Sequence, residues 1–361
     1  MRRRDFLKRA GAGSLAVGTG LAAGGVAQAK ADFRWKMVTA WPKNFPGLGT
    51  GAENLARLIG ELSGGRIRVK VYGANELVPA FEVFDAVSRG TAELGHAAAY
   101  YWKGKVPAAQ FFTTMPFGMT AQEFNAWIYH GGGQALWDEV YEPFGVRGVP
   151  AGNTGVQMGG WFNREINSLA DLKGLKMRIP GLGGEVLRRL GGTPVNLPGG
   201  ELFTALQSGA IDATEWVAPY NDLAFGLYKA AKYYYYPGFH EPGSGLELLI
   251  NRKALGQLPG DLQAVVLNAA KVVNLDLLAE YTARNPDALR QLVDEHGAQL
   301  RKFPDDVLAQ LRTVSAQVVA ELADQDAVSG KVYRSYHDFL TRVRAYTDLS
   351  ELAYVQARDA S

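Results

Sequence analysis

Residues 209–216, Gly-Ala-Ile-Asp-Ala-Thr-Glu-Trp, close a helix on a glycine and open a strand on an aspartate. Glycine suits the left-handed turn that ends a helix, and the short apolar run after it suits a strand. The same corner occurs 119 residues earlier. Phe84-Asp85-Ala86-Val87-Ser88-Arg89-Gly90-Thr91-Ala92-Glu93 aligns with Phe203-Thr204-Ala205-Leu206-Gln207-Ser208-Gly209-Ala210-Ile211-Asp212. Phe, Ala and Gly are identical, and Val/Leu and Glu/Asp agree in kind. The match is either a chance likeness of two helix–turn–strand corners or the trace of two α/β lobes of similar build. Two such lobes enclose a ligand between them.

Outward from these corners, strand and helix alternate. A strand is predicted over Phe33–Thr39, closed by Trp41-Pro42. A helix follows over 52–62, with Leu55, Leu58, Ile59 and Leu62 on one face. Over 66–72, Ile67, Val69 and Val71 alternate with Arg66, Arg68 and Lys70, the pattern of a half-buried strand. A helix over 80–89 and a short strand over 92–99 complete a mainly parallel unit. A second lobe begins near Gly152, with strands over 156–162, 174–180 and 194–197 and helices over 184–190 and before Gly209. Residues 246–251 are expected as a strand returning to that second lobe. From Asp261 to about Ala353 the chain reads as helical, most clearly over 264–282 and 306–323. The expected division is a leader over 1–29, a first lobe over 30–151, a second over 152–250, and a mostly helical part over 251–361 that packs on both.

The chain has 361 residues, 47% hydrophobic and 20% charged, enough for two sizeable cores. Its formal charge is +2, but five of 38 basic and one of 36 acidic residues fall in positions 1–29, so the remainder is slightly acidic. No basic field points to nucleic acid. Cysteine is absent, which excludes thiol catalysis, disulfides and thiolate metal sites. Arg3-Arg4-Asp5-Phe6-Leu7-Lys8, a weakly apolar stretch and Ala27-Gln28-Ala29 resemble a twin-arginine export signal with its cleavage site. No other stretch has the run of about 18 apolar residues that spans a bilayer.

Arg178 stands in Lys176-Met177-Arg178-Ile179-Pro180, inside a short apolar strand. A buried arginine is costly unless an anion meets it, and its planar fork matches a carboxylate. The other reading is a surface arginine on a half-exposed strand. Glu215 offers oxygens to a hard cation, with the Trp216 carbonyl beside it and the indole as a wall. On the plainer reading, Glu215 is a solvated strand end beside a core tryptophan. Asn153 and Gln157 share parity on an extended strand, so both face a cleft or make ordinary cross-strand hydrogen bonds. Tyr100-Tyr101 follows a strand, where α/β sheets place ligands, or packs a lobe interface.

These runs resemble the solute receptors of tripartite ATP-independent periplasmic (TRAP) transporters, over nearly the whole chain after the leader. The resemblance is strongest to the branch that binds 2-oxo or 2-hydroxy monocarboxylates such as lactate or pyruvate with a metal ion. It implies an α/β, two-lobed, periplasmic-binding-protein-like receptor with a hinge and long C-terminal helices. Arg178 would anchor the carboxylate. Gln157, Glu215, the Trp216 carbonyl and Glu241, in Phe239-His240-Glu241-Pro242-Gly243, would hold a calcium or sodium ion bridging the ligand. Tyr100, Tyr101 and Asn153 would orient the acid from the other side. The implied partners are a small carboxylate, the membrane subunits of the transporter, and a second copy exchanging C-terminal helices.

Two alternatives stay open: a receptor for a dicarboxylate or sugar acid without metal, and an exported metal-dependent enzyme with Glu215 as general base. Lys176 or Arg188 reaching the cleft would favour a dicarboxylate. Gly181-Leu182-Gly183-Gly184 fails as a dinucleotide fingerprint because its third glycine position holds Val186. The five histidines show no metal-binding spacing; His96 lies near the expected cleft and reads best as a satisfied buried histidine.

Overall fold

The computed structural model describes residues 31–359; the leader read over 1–29 lies outside them. Alternation of apolar residues makes β1 (Phe33–Thr39) a buried strand, and α1 (Leu48–Leu62) lays Leu55 and Ile59 against it. β2 (Ile67–Tyr72), α2 (Val83–Ser88) and β3 (Leu94–Ala97) complete a parallel unit with β1 between β2 and β3. The 3-10 turns Ala99–Trp102 and Pro107–Phe112, α3 (Ala121–His130) and α4 (Gly133–Tyr141) then lead to β4 (Val146–Asn153).

The chain leaves this sheet after β4 and builds a second one. It comprises β5 (Gly160–Phe162), β6 (Lys176–Arg178), α5 (Gly181–Arg189), β7 (Thr193–Val195), α6 (Leu202–Gln207), β8 (Ala213–Thr214), α7 (Pro219–Phe225) and β9 (Tyr233–Tyr236). β7, β6 and β8 run parallel, and β5 is antiparallel to β8 and β9. Residues 246–251 do form a strand, β10 (Gly245–Asn251), but it returns to the first sheet, antiparallel to β3 and β4. The physical reason is its two apolar faces. Leu248 and Ile250 join the core that holds Met37, Leu94 and Val149, while Leu246 and Leu249 enter the larger core on the other side. Continuous apolar runs of this kind mark a strand covered on both faces.

After α8 (Arg252–Gly256), α9 (Gly260–Arg290) packs on β4, α1 and α7, and so touches elements of both sheets. Together with its continuation to Glu295, α9 is long and apolar enough to cross a membrane by composition. Here its apolar stripe, Val266, Ala269, Val273 and Leu277, is buried within the protein. β11 (Gln299–Lys302) extends the second sheet beside β9, and α10 (Asp305–Asp324), α11 (Ala327–Thr347) and α12 (Ala353–Asp359) close the chain.

The repeated corner is structural. Gly90 ends the α2 turn at φ 77° and Gly209 ends the α6 turn at φ 75°, a conformation glycine adopts without steric cost. The acid that follows accepts a main-chain N–H of the neighbouring strand in both. Glu93 Oε2 accepts from Lys36 N at 2.7 Å, and Asp212 Oδ2 accepts from Lys176 N at 2.9 Å. Sequence positions 119 apart thus do the same work in two different sheets.

Candidate ligand and cation site

Two loops carry the chain between the sheets, 154–159 after β4 and 237–244 before β10, and the site lies where they meet the ends of β6 and β8. The loops are zipped together: Gln157 N donates to the Glu241 carbonyl at 3.0 Å, and Gly238 N to the Gln157 carbonyl at 3.0 Å. A Cβ on residue 238 would stand 2.3 Å from that Gln157 carbonyl oxygen, so only glycine permits the approach.

Arg178 ends β6 and is 1% exposed. Alternation puts Met177 on the other face of the strand, also buried, while Lys176 is exposed. The guanidinium is held on three sides. Nε donates to the Leu197 carbonyl at 3.1 Å, Nη1 donates to the Glu215 carbonyl at 3.2 Å, and Nη1 also makes a short ion pair with Glu215 Oε1. Its Cζ lies 5.1 Å from the Trp216 ring centroid, a cation–π distance. Nη2 has no hydrogen-bond partner, and the Tyr101 hydroxyl sits beside the same guanidinium.

Glu215 follows β8 and is fully buried. Its second oxygen, Oε2, meets His240 Nε2 at 3.4 Å. Glu241, also buried, accepts a short bond from Ser244 Oγ. One ligand atom from each of Glu215, His240 and Glu241 falls within 4.8 Å of the others. Burial and the nearby Glu215 charge push the Glu241 carboxyl up to about 7. Gln157 donates through Nε2 to Thr154 Oγ1 at 3.0 Å, and its Oε1 is buried without a partner.

Several of the buried polar atoms without partners among the described residues, Gln157 Oε1, Arg178 Nη2, Trp216 Nε1 and His240 Nδ1, belong to this site, and they are complementary in kind. Gln157 Oε1 and the two carboxylates are hard oxygen acceptors, the donor set of calcium or sodium. Arg178 Nη2 and Trp216 Nε1 are buried donors without partners, the set a small anion requires. Buried polar atoms rarely stay unpaired, so the residues present fit a cation and an organic anion side by side.

Of the residues read from the sequence, the structure brings Arg178, Gln157, Glu215, Trp216, Glu241, Tyr100 and Tyr101 to this site. Tyr100 packs its ring on Gly181 at the start of α5, and burial, with Glu241 nearby, holds its hydroxyl well above the usual phenol range. Burial raises the Tyr101 phenol to about 12. Asn153 is placed differently. Residues 154–159 turn rather than extend, with Gly155 at φ 69°, so the parity that paired Asn153 with Gln157 is lost. Asn153 Oδ1 accepts from Gly155 N at 2.9 Å, its Nδ2 reaches the Gly243 carbonyl at 3.4 Å, and both groups are spent on holding the crossing loops. Lys176 is exposed and Arg188 pairs with Glu185 at 2.9 Å, so neither brings a second cation to the cleft.

Sequence reasoning missed four residues here: His240, Thr154, Ser244 and Trp41. The adjacency of His240 to Glu241 was the visible signal; spacing rules look for histidines paired with histidines and pass over it. In sequence Trp41 reads only as a strand stop. Its indole lines the recess, packs edge-on to Trp216 at 6.3 Å, and donates to His96 Nδ1 at 2.8 Å. His96 in turn donates through Nε2 to the Ala151 carbonyl at 3.1 Å, and burial lowers its pKa to about 4. It is the satisfied buried histidine that the sequence suggested.

Residues 37–326 match the family model of the bacterial extracellular solute-binding proteins, family 7 (DctP). A monocarboxylate 2-oxoacid-binding periplasmic protein of Nostoc sp. is 45% identical over 325 residues, 90% of this chain and 88% of that one. A TRAP periplasmic solute-binding protein from Colwellia psychrerythraea, with bound calcium and pyruvate, superposes with TM-score 0.88 at 43% identity, covering 91% of this chain and 100% of that one. One from Pseudoalteromonas atlantica, with bound sodium and pyruvate, gives TM-score 0.88 at 44% identity, covering 91% and 99%.

Proposed function

The chain belongs to the bacterial extracellular solute-binding proteins of family 7, and from that premise we propose that it is a TRAP receptor for a small 2-oxo or 2-hydroxy monocarboxylate. The observation that carries the ligand class is the convergence of unpartnered donors and acceptors described above, in a site with one buried arginine and no second cation from Lys176 or Arg188. Arg178 takes the carboxylate through Nη2, with Tyr100 and Tyr101 excluding water from that side. Gln157, Glu215, Glu241 and the Trp216 carbonyl would hold calcium or sodium, which would supply positive charge against the buried carboxylates and the acid's oxygens. Pyruvate and the ion are taken from the likeness to the pyruvate-bound relatives, and lactate is its 2-hydroxy counterpart.

The two sheets act as lobes that close on the acid about the 154–159 and 237–244 crossings and α9. An acid that touches both lobes binds the closed form better and so populates it. The closed receptor delivers to membrane subunits and returns its acid unchanged. Export by the twin-arginine route rests on Arg3-Arg4 and Ala27-Gln28-Ala29. A homodimer through the C-terminal helices rests on the exposed apolar residues Tyr346, Leu349, Leu352, Tyr354 and Val355, which solvent alone does not explain.

The test is calorimetric titration of stripped protein with pyruvate, lactate and succinate, each in calcium, in sodium, and in chelator with choline as the only cation. A 2-substituted monocarboxylate that binds only with one cation present supports the reading and names the ion. Tight succinate binding, or binding indifferent to every cation, overturns it.

A further inference from the structure

Away from the crossing loops, the turn 115–118 before α3 and the facing sides of α10 and α11 enclose a second hollow of about 390 Å³. Met115, Val319 and Tyr336 make its floor; all three are buried, and no carboxylate lines it. The floor is fixed, because Met119 N donates to the Tyr336 hydroxyl at 2.9 Å. Small-molecule sites have this size and pair apolar walls with a few convergent polar groups.

The polar groups of this hollow are basic or unpartnered. Arg312, His337 and Arg344 stand exposed at its rim. Neither arginine makes an ion pair among the described residues. Arg312 Cζ lies 5.1 Å from the Phe117 ring centroid, and Arg344 Nη2 donates to the Phe117 carbonyl at 3.4 Å, so the two guanidiniums converge on one residue. Ser315 is 2% exposed, and its Oγ is buried with no hydrogen-bond partner. A hydroxyl left in that state costs free energy until a partner meets it. Phe117 holds a φ of 55°, a conformation a bulky side chain rarely adopts, and its N donates to the Phe239 carbonyl at 2.8 Å. Strained backbone of this kind collects at ligand clamps.

We propose that this hollow is a second binding site, for a carboxylate that carries an aromatic or alkyl body. Arg312 and Arg344 take the carboxylate, whose two oxygens match a guanidinium fork. The body lies on Phe117, Met115 and Val319, and the positive rim turns away amines. The site shares no lining residue with the one between the sheets, so the proposal stands apart from the function argued above.

The experiment is calorimetric titration of the whole protein with octanoate and benzoate, with octanol and benzyl alcohol as uncharged controls. Calcium and excess pyruvate are present throughout, to occupy Arg178. The variants are Arg312→Ala, which removes one guanidinium, and Ala316→Trp, which fills the hollow; both positions are exposed, and thermal unfolding checks that each folds. The expected result is saturable binding of one or both acids, weaker by about tenfold or more for the uncharged controls and for Arg312→Ala, and lost in Ala316→Trp. Acid binding that neither folded variant changes belongs to another site and overturns the proposal. So does the absence of acid binding. In that case sedimentation of Arg312→Glu tells what fills the hollow: a shift from dimer to monomer gives it to a second copy of this chain. A failure of pyruvate to bind sinks the receptor reading alone, because the two variants still decide where octanoate sits.

Discussion

Arg178 and Glu215 form a buried ion pair, yet each has a capacity left over: Nη2 on the guanidinium and the His240-facing oxygen on the carboxylate. A buried pair of this kind is weak evidence for stability, because desolvating two charges offsets their attraction. On the function proposed above, its unspent valences are what takes the ligand. Arg178→Lys keeps the charge and loses the planar fork. It is expected to weaken pyruvate binding by about 2–3 kcal/mol, roughly 30- to 150-fold, measured by calorimetry in calcium. Unchanged affinity in a folded variant would remove Arg178 from the site. Glu241 makes the second prediction. Its carboxyl is held up to about 7 by burial and by Glu215, so a cation that needs the carboxylate must displace a proton below that pH. Cation affinity should rise with pH up to about 7, by at most about tenfold per unit for one proton, and level off above it. Glu241→Gln should flatten the slope and weaken binding. A slope that persists in that variant would assign the proton to another group.

At the scale of elements, the site depends on two loops that bring Gln157 and Glu241 together through main-chain hydrogen bonds. Gly238→Ala places a Cβ 2.3 Å from the Gln157 carbonyl oxygen, backbone against side chain, with no flexible partner to yield. The expected outcome is destabilisation of about 2 kcal/mol or more by urea unfolding, with weaker cation binding because Gln157 is displaced. Wild-type stability in that variant would show that the loops separate without cost. The C-terminal end behaves differently. Val332 and Tyr336 of α11 are buried, but no residue of 348–359 is. Removal of 348–361 should leave the melting temperature of the body nearly unchanged while shifting sedimentation from dimer to monomer. A dimer that survives the truncation places the interface elsewhere. Exposed Leu349 and Tyr354 cost nothing to lose from the fold itself, which is why the two readouts separate.

For the whole molecule, buried carboxyls set a pH dependence of opposite sign to the usual one. Glu241 and Asp222 are both raised to about 7 by burial, and Glu247, beside the Tyr141 hydroxyl, is raised well above its ordinary value. Asp222 stays buried because Trp161 Nε1, Tyr234 Oη and Val217 N donate to it at 3.0, 2.7 and 3.3 Å. Below about pH 4 these groups are protonated in folded and unfolded chains alike. Between there and about 7 the unfolded chain ionises while the folded one keeps its protons, so stability falls as pH rises and levels off above 7 for Glu241 and Asp222. The size is on the order of 4 kcal/mol for each, at about 1.4 kcal/mol per pKa unit. Thermal unfolding in chelator should therefore show a falling melting temperature from pH 5 to 7. Calcium with pyruvate should abolish the Glu241 share and add about 4 kcal/mol at a thousandfold excess over Kd. A melting temperature that rises across this window in chelator would contradict the buried, protonated state of these carboxyls.

Much of the architecture is local and was legible. Periods of 2 and 3.6 mark β1, β2, α1 and α10. The glycine-then-acid corners at 84–93 and 203–212 mark α2 with β3 and α6 with β8. Arginine between Met177 and Ile179 marks a strand that needs an anion. The resemblance to a receptor family supplied the grouping of Gln157, Glu215, Trp216 and Glu241, which no spacing rule connects. Tertiary structure alone decided the rest. β10 pairs with β3 and β4 in the first sheet, where its leucines and Ile250 enter cores on both sides. Asn153 turned out to hold a loop because Gly155 breaks the extended parity. His240 and Trp41 became site residues because loops from different sheets meet there. A sequence encodes each element's face through neighbours a few residues apart, whereas a site formed at chain crossings depends on which sheet each strand enters, and that is settled only when the two cores compete for it.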